Sequence, residues 1–238
     1  MLLHVLHGGW LMWRHAQRWT AVERARQVER WAQQMLALMG IGVQVHGQPP
    51  VAGPVLLVVN HRSWLDIVAL HAACYCRLVA KSGIRHWPLV GALATNAGTL
   101  YIERESPRDA LRVVHHMADA LRNGDVLGVF PEGTTSDGRM LLPFHANLLQ
   151  AALASGAPAQ PVALRYIDTA TGQPSDAPRY VGDESLPGSV WRTLSAPPMT
   201  AVLHFGEPQH SAGRNRRAWA ADLHSEVAAL LEKQPNHL

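Results

Sequence analysis

Cysteine is scarce: only Cys74 and Cys76 occur in 238 residues. A C-x-C pair fits neither a disulfide framework nor a zinc site, and it lacks the C-x-x-C redox spacing. Two buried thiols in a reducing compartment are expected. The fourteen histidines are scattered, with no H-E-x-x-H and no Cys/His cluster at ligand spacing, so no structural metal is expected. The apolar stretch from Leu2 to Trp13 is shorter than the roughly 20 residues of a membrane-spanning helix. Without a basic n-region or a small-residue cleavage site it does not read as a signal peptide either. No G-x-S-x-G elbow occurs, and Ser136 lacks flanking glycines, which disfavours a serine nucleophile. Gly40-x-Gly42 precedes a strand instead of following one, so it is no dinucleotide loop. Internal repeats and low-complexity tracts are absent as well. Lysine is nearly missing: of 21 basic residues only Lys81 and Lys233 are lysine.

What remains is apolar and arginine-rich. Apolar residues make up 47% of the chain and charged ones 16%, which excludes a disordered polymer and suits one sizeable domain. Arginine presents a planar fork of donors to phosphate, so its dominance hints at anionic partners; a GC-rich coding sequence gives the same bias. Four of the eight tryptophans, Trp10, Trp13, Trp19 and Trp31, fall in the first 31 residues, interspersed with Arg14, Arg18, Arg24, Arg26 and Arg30. Tryptophan beside arginine is what a helix lying at a lipid interface needs. An ordinary helix packed on a domain is the alternative.

Beyond this segment, strand and helix signals mostly alternate. Thr20 and Glu23 have capping-box spacing and open a helix that stops at Gly40. Ile41, Val43 and Val45 alternate as a half-buried strand, and Val55 to Val59 is a continuous apolar run typical of a covered strand. A helix follows over 63–73, then strands near 78–80 and 99–103 around a helical stretch at 87–97. Ser106 as N-cap, Pro107 at N1 and Gly124 past the end mark another helix. Strands at 126–130, 162–166 and 200–205 and helices at 146–154 and 214–233 complete the pattern, with 167–199 expected to be irregular. The fold class is therefore α/β: a central, mostly parallel or mixed sheet flanked by helices, with an N-terminal amphipathic helical segment. Residues 1–40 form that segment and residues 41–238 the α/β domain.

Asn60-His61-Arg62-Ser63-Trp64-Leu65-Asp66 lies where a buried strand ends and a helix begins, a place where open α/β sheets bind ligands. With Ser63 as N-cap, Asp66 sits in the first turn, within reach of His61. A carboxylate that holds an imidazole fixes its tautomer and raises its basicity, as a general base requires. Alternatively, Asp66 caps the backbone of Ser63 and His61 is a loop residue. Phe130-Pro131-Glu132-Gly133-Thr134 follows a second buried strand, and Gly98 to Arg104 ends a third. An arginine there suits a phosphate clamp or a surface ion pair.

These blocks together resemble the glycerolipid acyltransferase family that includes the 1-acylglycerol-3-phosphate acyltransferases. His61 and Asp66 match its His-x4-Asp block. Gly98 to Arg104 match G-x-x-[FY]-[IV]-x-R, and Phe130 to Ser136 match F-P-E-G-T-R-S except at Thr135, where the family carries arginine. Gln160-Pro161-Val162-Ala163 match the short proline block. The resemblance implies His61 as the base on the acceptor hydroxyl and Asp66 as its orienting partner. It implies a substrate-binding set of Asn60, Arg104, Glu132, Gly133, Thr134, Thr135 and Pro161. Arg104 would bind the acceptor phosphate, with Glu132 and Gly133 shaping that pocket and Pro161 forming a wall.

The implied reaction moves a fatty acyl group from acyl-CoA or acyl carrier protein to the free hydroxyl of 1-acyl-sn-glycerol-3-phosphate, giving phosphatidic acid. No cofactor, metal or nucleic-acid partner is expected. The expected location is the cytoplasmic face of the inner membrane, peripheral or monotopic. Thr135 removes one phosphate ligand; the Thr135 hydroxyl, Arg139 and Arg165 are the candidates to stand in for it. That leaves room for another lysolipid acceptor, such as a lyso-ornithine lipid. A non-catalytic lipid-binding protein is the alternative of a different class.

Overall fold

The computed structural model describes residues 1–15, 18–102 and 107–233. The sequence-predicted Ser106 cap, Glu103 and Arg104 lie outside the described residues. The chain runs α1 (Leu2–His15), α2 (Ala21–Leu38), β1 (Ile41–His46), β2 (Val55–Val59), α3 (Leu65–Ala73), β3 (Arg77–Lys81), α4 (Val90–Asn96), β4 (Leu100–Ile102), α5 (Pro107–Arg122), β5 (Val126–Val129), α6 (Leu149–Ser155), β6 (Ala159–Asp168), α7 (Leu186–Ser195), β7 (Met199–Phe205) and α8 (Arg216–Glu232). The strands form one sheet in the order β1-β7-β6-β2-β5-β3-β4. All neighbouring pairs are parallel except β6 with β7, so the sheet is mixed.

Alternation along β2 divides the core. Leu57 and Val59 face α2 and α3, while Leu56 and Val58 face α5, α6 and α8. A strand buried on both faces must be apolar throughout, and all five residues of β2 are buried. Val162, Leu164 and Tyr166 of β6 point to the α3 side, and period-two alternation keeps them on one face. Cys74 and Cys76 are free and buried in that same core; burial pushes the Cys74 thiol up to about 12.

Local signals explain most boundaries. The Thr20 hydroxyl accepts the Glu23 amide while the Glu23 carboxylate accepts the Thr20 amide, completing the capping box of α2. Gly40, at φ +70°, turns the chain from α2 into β1. Two expectations change. The helix expected over 87–97 shortens to α4, starting only at Val90 because Pro88 lacks the amide a continuous helix needs, and a separate 3₁₀ turn over Ser82–His86 precedes it. The stretch expected to be irregular contains α7, capped by Ser185, whose hydroxyl accepts the Gly188 amide. Its single amphipathic period is interrupted by Pro187 and Gly188, which hides it in the sequence.

Candidate active site

β2 ends at Val59, and the chain then leaves the sheet. Asn60 manages the departure: its side-chain amide donates to Leu164 O (2.9 Å) and accepts from Leu164 N (2.7 Å), imitating one more residue of strand. His61 therefore emerges at the sheet edge with its backbone already directed. α3 begins at Leu65, slightly beyond the sequence expectation, and Ser63 Oγ accepts the Leu65 amide (3.1 Å).

Asp66 is fully buried in the first turn of α3. Its Oδ2 accepts from His61 Nδ1 (2.8 Å), from the Arg62 amide (2.6 Å) and from the Ser63 amide (2.8 Å). Its Oδ1 accepts from the Tyr166 hydroxyl (2.8 Å). The two roles weighed for Asp66, backbone cap and imidazole holder, are both filled by one carboxylate. Because a carboxylate only accepts, Nδ1 of His61 carries the proton and Nε2 is left with a free lone pair. Among the described residues no group hydrogen-bonds Nε2. The ring stacks on Phe130 with centroids 4.0 Å apart, and its side chain is 17% exposed. One face of the ring is packed, and part of the side chain stays open to solvent.

Glu132 ties the second block to the first. Its Oε1 accepts the His61 amide (2.6 Å) and its Oε2 accepts the Leu142 amide (2.9 Å). Burial pushes its pKa up; the two amides oppose that shift, while the Asp66 charge adds to it. Pro131 ends β5 and presents its carbonyl to His145 N (2.8 Å), and Gly133, at φ +72°, turns back toward Phe130 O (3.1 Å). Ser136 N donates to His61 O (2.9 Å). Thus Glu132, Gly133 and Ser136 frame His61, and Thr134 and Thr135 lie on the same turn, Thr134 exposed and Thr135 half-buried.

Sequence reasoning missed three supports. Tyr166, one hundred residues from Asp66, is buried in β6; its only sequence signal is a phenol on the face that also carries Val162 and Leu164, where a hydroxyl needs a buried partner. Burial and the Asp66 charge push its pKa well up, so it remains a donor. Arg62 reaches away from His61 and pairs with Asp176 (3.0 Å) and with Asp137 O (3.4 Å). The segment 176–180 straps the loop: Tyr180 N donates to Arg62 O (3.1 Å), Ser63 Oγ donates to Pro178 O, and Trp64 Nε1 donates to Ser189 Oγ of α7 (3.2 Å).

Pro161 is not brought to the others. It lies buried within β6, in register with Val58 and against Gly206, below the edge that carries His61. The guanidinium of Arg165 donates to Leu231 O (3.0 Å) and to Lys233 O at the end of α8. Arg139 is 85% exposed beside Asp137. No cluster of three or more metal-ligating side chains occurs among the described residues.

The sequence profile of a family described as Acyltransferase matches residues 42–165, over half of the chain. A 1-acyl-sn-glycerol-3-phosphate acyltransferase of Neisseria meningitidis is 40% identical over 184 residues, covering 76% of this chain and 71% of that protein. A lyso-ornithine lipid O-acyltransferase of Pseudomonas aeruginosa is 35% identical over 208 residues, covering 87% of this chain and 79% of that protein. Among solved structures, that of the 1-acyl-sn-glycerophosphate (LPA) acyltransferase PlsC from Thermotoga maritima superposes with a TM-score of 0.66 at 19% identity, over 99% of this chain and 98% of that one. At that identity the match speaks for the fold.

Proposed function

From the premise that the chain belongs to the acyltransferase family, we propose that it transfers a fatty acyl group from acyl-CoA or acyl carrier protein to the free hydroxyl of 1-acyl-sn-glycerol-3-phosphate. The observation that carries the reading is the imidazole of His61, held through Nδ1 by a four-bonded Asp66 with Nε2 left open. In this reading Nε2 takes the hydroxyl proton as the oxygen attacks the thioester carbonyl. The C–S bond then breaks, and the proton passes from His61 to the departing thiolate. The protein supplies no covalent nucleophile and the step needs no cofactor. Removing a general base typically costs on the order of 10²–10⁴ in rate. His61→Ala is expected to lose at least that much thiol release while keeping its thermal midpoint. Wild-type turnover in that variant would sink the mechanism.

A second acceptor is favoured by a specific residue. Thr135 stands where the third block carries arginine, and Arg165 is bound to α8. A less anionic acceptor, such as a lyso-ornithine lipid, asks less of that position. A panel of lysophosphatidate and lyso-ornithine lipid with one donor, read by product mass, separates the two. Product only from the aminolipid overturns the phosphatidate-forming reading, and no product from any lysolipid overturns both.

The reading includes a membrane surface at the cytoplasmic face of the inner membrane. No helix among the described residues is long and apolar enough to cross a bilayer, and α1 supports a peripheral mode. Leu3, Leu6 and Trp10 share one face of α1 and are exposed. His4, Val5 and Gly8 occupy the opposite face, where the ring of His4 stacks on Trp31 of α2 at 5.4 Å.

A further inference from the structure

We infer that the membrane face is composite: the turn ahead of α4, residues 84–90, enters the same anionic lipid surface as α1, an inference that rests on the membrane reading above. Four observations carry it. The turn exposes Trp87, Leu89 and Val90 in succession, at 44%, 43% and 39%. α4, which this turn opens, packs against α1, so the apolar side chains of both segments belong to one region of the surface.

The backbone, moreover, is built to present them. Leu89 has φ +61° and ψ −51°, and Val90 N donates to Pro88 O (2.6 Å), which makes Leu89 the centre of a strained γ-turn. A leucine in a conformation that glycine adopts freely, its side chain in solvent, points to a functional demand on the side chain. The turn is also firm: Trp87 N donates to Ile84 O (3.0 Å), Gly91 N to Trp87 O (2.9 Å), and a Cβ on Gly91 would sit 2.1 Å from Arg85 O.

Charge identifies the occupant. Residues 1–22 contain no acidic side chain, nor do residues 67–102, and these are the two segments that meet. Their exposed cations are Arg14, Arg18, Lys81 and Arg85. Apolar tips fringed by arginine and lysine, on segments that carry no carboxylate of their own, match anionic phospholipid headgroups. A lipid bilayer is therefore favoured over a second copy of this chain, whose matching face would repel it.

The position also serves the reaction. β2 and β3 run parallel on either side of β5, so the turn after β3 and His61 after β2 leave the same sheet edge. Their strands are two spacings, about 10 Å, apart. A bilayer held at the turn has its lysolipid headgroups near the base.

The test is flotation of the full chain with vesicles of phosphatidylcholine, with and without phosphatidylglycerol. Wild type is expected to float with the anionic vesicles, and Trp87→Asp/Leu89→Asp to partition about tenfold or more weakly. Turnover of a short-chain, monomeric lysolipid should be unchanged. Leu89→Gly guards against misfolding: glycine relieves the turn, so the thermal midpoint should hold or rise while flotation weakens. Turn variants that float as well as a floating wild type overturn this inference alone. A wild type that never floats removes it together with the membrane reading. A lipid-free dimer abolished by the turn variants would assign the face to self-association and overturn the inference.

Discussion

The hydroxyl of Tyr166 donates to Asp66 Oδ1 at 2.8 Å, while the other carboxylate oxygen holds His61 Nδ1 at 2.8 Å. One buried carboxylate is thereby fixed from two directions, by β6 on one oxygen and by the histidine loop on the other. Tyr166 is buried, and its hydroxyl is linked to His61 through Asp66. A hydrogen bond to an ion contributes about 1.5–3 kcal/mol, and Asp66 keeps three other donors in Tyr166→Phe. We therefore expect kcat to fall about tenfold with both KM values within about twofold of wild type. The downfield His61 Nδ1 proton should shift or broaden in the same variant. Unchanged kcat and an unmoved resonance would reduce Tyr166 to core packing.

Glu132 invites a sharper test because both of its oxygens accept backbone amides, from His61 and Leu142. Glu132→Gln keeps the volume but turns an amide NH₂ toward one of those donors. A buried amide left without an acceptor costs about 1–3 kcal/mol. Since one of the two positions His61, kcat should drop ten- to a hundredfold, on the same scale. Stopped-assay kinetics on the folded variant check this; a change confined to acceptor KM would assign Glu132 to substrate binding instead.

The chemistry-bearing blocks were legible in the sequence because each is local: a strand run, a turn residue, then the polar group. The His61–Asp66 pairing follows from a five-residue offset across one helical turn, and it holds. Partners chosen by topology were not legible. Tyr166 reaches Asp66 only because β6 lies beside β2, and nothing near either residue announces that neighbour. The same placement joins Arg165 to the end of α8, a contact the sequence does not announce. It also left Pro161 inside the sheet, although its block matches the family as well as the others do. α7 and the 176–180 strap escaped because their anchors, Ser63, Trp64 and Arg62, lie more than a hundred residues earlier.

Gly138 and Arg62 form a tight contact that kinetics can probe. A Cβ at Gly138 would stand 2.0 Å from Arg62 Nε, and the residue has φ +76°. Gly138→Ala thus meets both backbone strain of about 1–2 kcal/mol and the guanidinium. Relief requires Arg62 to leave Asp176 and Asp137, loosening a residue whose amide holds Asp66. We expect a lower thermal midpoint and a severalfold loss of kcat. Arg62→Ala added to Gly138→Ala should cost less than the sum of the single changes; strict additivity would show that the two residues do not communicate.

His71 gives the fold an acid limit. It is buried in α3, the helix that carries Asp66, and its Nε2 meets Cys76 O at 3.0 Å. Burial lowers its pKa to about 4, only partly offset by that carbonyl. In the unfolded chain an unperturbed histidine titrates near 6.5. Above that pH both states are neutral, and the stabilisation is fully present. As pH falls from about 6.5 toward 4, the unfolded state binds a proton that the folded state refuses, and stability declines. By pH 5 the loss is about 2 kcal/mol for His71 alone. His204, stacked on His46 and also lowered to about 4 by burial first and then by the His46 charge, acts in the same direction. Urea unfolding at pH 7 and pH 5 should show this drop in wild type and a smaller one in His71→Gln. Equal drops in the two proteins would remove His71 as the cause.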